Sequence, residues 1–328
     1  MNAFDDAALN ARRRFLQLAG WAGTLGGLAA LSGCGGENNA PVTSASPTPT
    51  PSPTPTPSPG PAYTASDADR LDLLLQVNYL VGGFFARGVL GGDLPAASTG
   101  GSGTFGTLTG GSRVTFADET EAAAMREIAY DVQSQIERLR AILGGAVTAR
   151  PATTIAGGAG GPFQAIASVT AFPATSPFDP FASSELYLVA AVALTSVRAS
   201  MFTDVVRLMT DRTNIGIVAG MSAIASQHDA IVRQALWLRG RSQSALFGRI
   251  DRMSDARDRF DGVRDLDQGV GGMNGTNFVV TDAEGVSLRR TPEQALNILY
   301  ASQSAVSAGG FFPAGVNGVI RFSGASTA

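Results

Sequence analysis

The sequence predicts an all-α fold: a four-helix bundle followed by a mixed, loop-rich C-terminal extension. Three observations carry that expectation. Apolar residues recur at the i, i+3, i+4, i+7 spacing of a helix face over four stretches of about 24 to 29 residues. Each stretch starts at or near a residue able to cap a helix, and most stop at glycine. The four also fall into two pairs separated by a long connection rich in Gly, Ser, Thr and Pro, the layout of a bundle with a crossover.

Helix one starts at Ser66-Asp67-Ala68-Asp69, an N-cap serine with an acid three residues on, and carries Leu74, Val77, Val81, Phe84 and Gly88 until Gly91-Gly92. Helix two is capped by Asp118 and Glu121, and its stripe of Ile128, Val132, Gln135, Ile136 and Leu139 stops at Gly144-Gly145. Helix three runs from about Ser183 to Asp211, with Leu188, Ala191, Thr195 and Phe202 on its inner face. Helix four runs from about Asn214 to Arg239, with Met221, Ile224, Ala225, His228, Ile231, Val232 and Ala235 in its stripe, before Gly240. His228 is the one histidine of the chain.

The extension, residues 241–328, has three readable parts. The first is a charge-dense helical stretch, Arg252 to Asp261, whose continuation to Asp267 alternates acids with arginines in the pattern of a solvated, ion-paired surface rather than a calcium loop. Asn277-Phe278-Val279-Val280 has the composition of a short strand. Thr291-Pro292-Glu293-Gln294 is a strong helix start, with Thr291 as N-cap, proline at the first helical position and Gln294 completing a capping box. That helix is expected to reach about Ser304 and to bury Leu296, Ile298 and Leu299, ahead of the aromatic turn Gly309-Gly310-Phe311-Phe312-Pro313.

Ahead of the bundle lie two segments with no core to build. Ala11-Arg12-Arg13-Arg14-Phe15-Leu16-Gln17 reads as a twin-arginine export signal, carried by Arg12, Arg13, Phe15 and Leu16. The weakly apolar stretch from Trp21 to Leu31 spans about 16 Å as a helix, too short for a hydrocarbon core of roughly 30 Å. It ends in Leu31-Ser32-Gly33-Cys34, which resembles a bacterial lipobox, with Cys34 taking the lipid. Cys34 is the single cysteine, so no intrachain disulfide is possible. Residues 1–33 are read as the signal peptide, and residues 34–65 as a stalk rich in Pro, Thr and Ser. Nine of the seventeen prolines fall between Pro41 and Pro61, and their alternation with Thr and Ser favours extended polyproline II, a spacer of roughly 40 Å. Residues 66–240 form the bundle. The expected location is the bacterial cell envelope, with the membrane engaged through Cys34.

Several function classes drop out. The net charge is −3, no lysine occurs and no basic run exists, so there is no electrostatic footprint for nucleic acid and no amine for Schiff-base chemistry. No EF-hand pattern, phosphate-binding glycine loop or nucleophile elbow is present.

The stretch Leu74 to Leu90, the run from Glu127 to Arg140, Phe178-Asp179-Pro180, Ser254 to Asp258, Thr291 to Tyr300 and Gly310-Phe311-Phe312-Pro313 together resemble the ferritin-like domain proteins related to plant desiccation-related protein. The most specific parts are the nine residues beginning at Arg290 and the aromatic turn. The resemblance implies a ferritin-like bundle, whose metal-binding members take a Glu from each of two helices and a Glu-x-x-His pair from each of the other two. At the matching positions helix one has Val81 and Gly83, helix two Val132 and Gln135, helix three Thr195, and helix four Ala225 followed by His228. One ligand type in six survives, so the expectation is a degenerate site, no metal and no cofactor.

His228 is accordingly expected to be a core histidine bonded to Gln135 or Thr195, in an interior too apolar to trap a transition metal. Asp131 and Asp229 are expected to rotate about 100° off the core face, toward solvent or a neighbouring helix. The leading functional expectation is a lipid-anchored, exported, non-catalytic protein with a binding, structural or stress-related role in the envelope. The alternative is a metal-dependent ferritin-like oxidoreductase with non-standard ligands. A carrier of a small apolar ligand, lodged in a void beside Gly82, Gly83, Thr195 and Ala225, is the third reading.

Overall fold

In the computed structural model, residues 64–169, 177–262 and 264–326 are described. The chain divides into two units, Met1–Thr64 and Ala65–Ala328, and every described helix and strand belongs to the second. Arg12, Arg13, Phe15, Leu16, Cys34 and the proline-rich stalk lie outside the described residues.

Helix α1 (Asp67–Phe85) opens with the expected capping box: the Ser66 hydroxyl accepts from the Asp69 amide while Asp69 accepts from the Ser66 amide at 2.8 Å. From Leu71 to Phe85 every residue is buried, so α1 is a central helix without a polar face. It continues as a single π-helical turn, Ala86–Leu90, ended by Gly91 at φ +77°. Gly88 sits in that turn because a Cβ there would run into the Tyr187 ring. Tyr187 itself stacks on Phe84 at 4.6 Å, which locks the turn against the opposite helix pair.

Helix α2 (Glu119–Leu143), N-capped by Asp118, buries Met125, Ile128, Val132, Ile136 and Leu139 and shows polar residues outward. A short helix α3 (Pro162–Ala167) lies in the long connection. That connection also places strand β2 (Thr153–Thr154) parallel to β1 (Leu108–Thr109) from the loop after α1. Helix α4 (Ser184–Leu208) starts at the Ser183 N-cap and is buried along nearly its whole length. After the turn Met209–Asp211, helix α5 (Arg212–Ser242) doubles back, its first turn capped by the Asp211 carboxylate. The pairs α1/α2 and α4/α5 pack most extensively, and contacts of α1 with α4 and α2 with α5 close the bundle.

Three helical segments, Asp67–Leu90, Ser184–Leu208 and Arg212–Ser242, are long and apolar enough to cross a membrane by length and composition. In the first two most of the apolar window is buried inside the protein, whereas in α5 only 33% is, so α5 forms an outer wall.

Helix α6 (Ala245–Asp261) packs on α3, α4 and α5, and α7 (Pro292–Leu299) packs on α6 and α4. The Thr291–Gln294 capping box forms, and Leu296, Ile298 and Leu299 are buried. Phe311 seats edge-on against Phe163 at 4.8 Å, so the aromatic turn joins the core.

Four expectations about the extension need correction. Its first helix begins at Ala245, seven residues earlier than Arg252, because Leu246, Phe247 and Ile250 bury against the bundle. Asn277 to Val280 is not a strand. The short hairpin there is β3 (Gly271–Gly272) with β4 (Gly275–Thr276), and Val279 is 66% exposed. Helix α7 stops at Leu299 because Ala301 takes φ +51° and the Asn297 side chain captures the Ser302 carbonyl. Finally, the acid and arginine stretch is a solvated surface only in part: Asp251, Asp255, Arg259, Arg264 and Asp265 are exposed, but others are not. Arg257, Asp261 and Asp267 are buried, and Arg290 reaches Asp261 at 2.5 Å and also pairs with Asp267. Arg257 pairs with Asp267 at 2.5 Å.

Candidate functional site

All six positions matched to metal ligands, Val81, Val132, Gln135, Thr195, Ala225 and His228, are buried in the bundle. A residue not named among the expected core residues reaches two of them, Gln135 and His228. Arg198, on α4 and fully buried, extends its guanidinium between the other three long helices. Its Nε donates to Asn78 Oδ1 on α1 at 2.7 Å, its Nη2 donates to Gln135 Oε1 on α2, and its Nη1 faces His228 Nδ1 on α5 at 3.5 Å. The guanidinium carbon also lies 5.0 Å from the Phe202 ring centroid.

This geometry fixes the histidine's state. A guanidinium only donates, so Nδ1 is the acceptor and Nε2 carries the proton, which it gives to Asp131 Oδ2 at 3.0 Å. Burial first, and the Arg198 charge second, push His228 down to about 4, with Asp131 acting in the opposite direction. The ring is therefore neutral at pH 7. Burial lowers Arg198 to about 9, which leaves it charged at neutral pH.

The expected partners of the histidine fail here. His228 is held by Asp131 and Arg198, not by Gln135 or Thr195. Of the two placements open to Asp229, it takes the neighbouring helix rather than solvent: it is buried, and its Oδ1 accepts from the hydroxyls of Thr195 at 2.7 Å and Ser196 at 2.8 Å. Asp131 is half exposed, yet it bends inward to the histidine. The interior is thus not the apolar space expected from Val81, Val132 and Ala225, because a hydrogen-bonded polar layer crosses it. The third reading loses its void as well. A Cβ at Gly82 would lie 3.1 to 3.3 Å from Ile136, Leu94 and Val132, and one at Gly83 would lie 2.9 Å from Leu108, so these glycines serve close packing.

A di-metal centre in this position requires carboxylates whose negative charge offsets the ions. Here a fixed organic cation occupies the junction of the four helices, Nε2 of His228 is bonded to Asp131 while Nδ1 faces the Arg198 charge, and one oxygen of Asp229 holds two hydroxyls. The residues present do not fit such a centre. Among the described residues, the three carboxylates close enough to share an ion are Asp258, Asp261 and Asp267, in the extension. They already surround Arg257 and Arg290. Burial works to raise the Asp267 carboxyl, but those two arginines outweigh it and hold it below the usual range. Asp258, which lacks an arginine contact that close, is raised to about 8 by burial and by the charges of Asp267 and Asp261.

A helix bundle of this layout defines a class, and the ferritin-like domain model matches residues 66–237. The chain belongs to the ferritin-like domain family. Among curated proteins it is similar to one named ferritin-like catalase Nec2, from Nesocodon mauritianus, with 24% identity over 272 residues, covering 78% of this chain and 85% of that protein. No solved structure matches the chain significantly.

Proposed function

We propose that this chain is an exported, lipid-anchored member of the ferritin-like family whose bundle has exchanged metal chemistry for a fixed guanidinium, and that its role in the cell envelope is binding or structural rather than catalytic. The observation that carries the reading is Arg198. One positive charge, hydrogen-bonded to Asn78 and Gln135 and facing His228, supplies a cation where the family's metal-binding members place ions. Such an arrangement ties four helices together without a labile ion. Support for export and anchoring comes from Arg12, Arg13, Phe15, Leu16 and Cys34 and from the proline-rich stalk after them. A link to drying or other stress rests on family resemblance alone.

The second reading is a metal-dependent oxidoreductase, favoured by the name of the similar protein from Nesocodon mauritianus. Oxygen evolution from peroxide by the purified mature protein, grown with iron and manganese, separates the two. The proposal expects a rate equal to that of protein-free buffer. A rate that scales with protein and disappears in His228→Ala would replace it with the second reading. For the anchor, a Cys34→Ala protein is expected to move from the membrane fraction to the soluble exported fraction; retention in the membrane would refute lipidation there.

A further inference from the structure

The polar layer of α4 and α5 continues past Asp229 to a cavity that the bundle centre does not use. It holds about 60 Å³ and is closed on one side by Ser196, Ser200, Ser226, Asp229 and Arg233, with Phe278, Val280 and Leu288 of the extension on the other. At roughly 10 to 15 Å³ per water-sized group, it accommodates about four to six non-hydrogen atoms.

Its chemistry is set by Arg233, which is fully buried. The Nε donates to the Asn277 carbonyl at 2.9 Å, and Nη2 donates to the carbonyls of Gln268 and Gly269 at 2.7 and 2.6 Å. The remaining nitrogen, Nη1, has no hydrogen-bond partner among the described residues. It stands 4.0 Å from Asp229 Oδ2, too far for a direct bond. A hydroxyl oxygen within hydrogen-bond distance of both would accept from Nη1 and donate to Oδ2.

The surrounding hydroxyls narrow the ligand. Ser196 gives its proton to Asp229, Ser226 to the Ser222 carbonyl and Ser200 to backbone carbonyls of its own helix, so each offers only lone pairs to the cavity. An anion would gain Arg233 Nη1 as a donor but would also meet those lone pairs and the Asp229 carboxylate 4.0 Å from that nitrogen. A cation would meet Arg233 and Arg290. What remains is an uncharged molecule that both donates and accepts, with a short carbon skeleton against Phe278 and Val280.

We propose that this cavity is a binding site for a small uncharged alcohol or polyol, with one hydroxyl bridging Arg233 Nη1 and Asp229 Oδ2. The test is a protein-observed NMR titration of the folded mature chain with ethylene glycol and glycerol, with acetate and methylammonium as charged probes. Saturable shifts at Ser226, Val280 and Leu288 are expected with the neutral diol or triol, at an affinity about tenfold or more above that for either ion. The cavity-filling variant Ser226→Leu is expected to keep its circular dichroism and lose those shifts. Asp229→Asn, which removes the charge but keeps the shape, is expected to weaken the neutral ligand and admit acetate. Tighter binding of acetate than of glycol by the parent protein, shifts that survive Ser226→Leu, or no saturable shift with any probe, leaving only water in the cavity, would each overturn the proposal.

Discussion

Replacing Arg198 with methionine tests whether the guanidinium organises the bundle. Methionine keeps an unbranched apolar stem against Phe202 and removes only the charged fork. Lost are the hydrogen bonds to Asn78 and Gln135, each from a charged donor and each of order 1.5 to 3 kcal/mol, and the attraction to the Phe202 face, about 0.5 to 2 kcal/mol. The 3.5 Å approach to His228 is too long to add much. Against this loss stands relief from burying a cation that no carboxylate touches directly. The net expectation is destabilisation of about 2 to 4 kcal/mol, most of it from leaving the carbonyl oxygens of Asn78 and Gln135 buried and unbonded. Urea unfolding followed by circular dichroism measures it. The triple variant Arg198→Met, Asn78→Leu, Gln135→Leu then removes the orphaned groups too, and is expected to recover much of the loss, because apolar replacements of a complete buried polar set are often neutral or stabilising. If Arg198→Met unfolds within about 0.5 kcal/mol of the parent, or the triple variant loses the sum of its parts, the guanidinium does not hold the helices together.

Further predictions concern the two buried charge systems. Below its ordinary pKa of 6.5, His228 binds a proton when unfolded but not when folded, so its contribution is fully present above about 6.5 and is lost as pH falls toward 4. Over that window the parent is expected to lose about 3 kcal/mol more than His228→Gln does; parallel stability curves from pH 4 to 8 would contradict the buried neutral ring. Arg290→Met is expected to cost about 3 to 5 kcal/mol, because Asp261 and Asp267 lose a shared buried partner. A loss below about 1 kcal/mol would mean the cluster is solvated, as exposed ion pairs contribute that little.

The helical frame was legible because its signals are local. Ser66, Asp118, Ser183 and Thr291 all cap the helices they were expected to begin, and Leu188, Ala191, Thr195 and Phe202 all point inward. The polar interior was not legible, although one signal was available. Arg198 falls three residues after Thr195 and four before Phe202, on the inner stripe itself, so periodicity alone placed a charge in the core. Asp229, one residue from the stripe of α5, looks outward-facing when α5 is set against α2 alone. Against α4, with the hydroxyls of Thr195 and Ser196 facing it, the same position is interior. The acids and arginines from Asp251 to Asp267 mislead for a different reason. The burial of Asp261 and Asp267 depends on Arg290, which lies 29 residues from Asp261 and 23 from Asp267, and alternation along the chain carries no information about a partner at that distance.

If the Arg198 charge already fills the centre of the bundle, no transition metal can settle there. Elemental analysis of the mature chain, produced with iron and manganese supplied and then extensively dialysed, reads this out. The expected result is well under one transition-metal ion per chain, and the same value for His228→Ala. One or two ions per chain, falling in His228→Ala and rising in Arg198→Met, would show the centre to be a metal site after all.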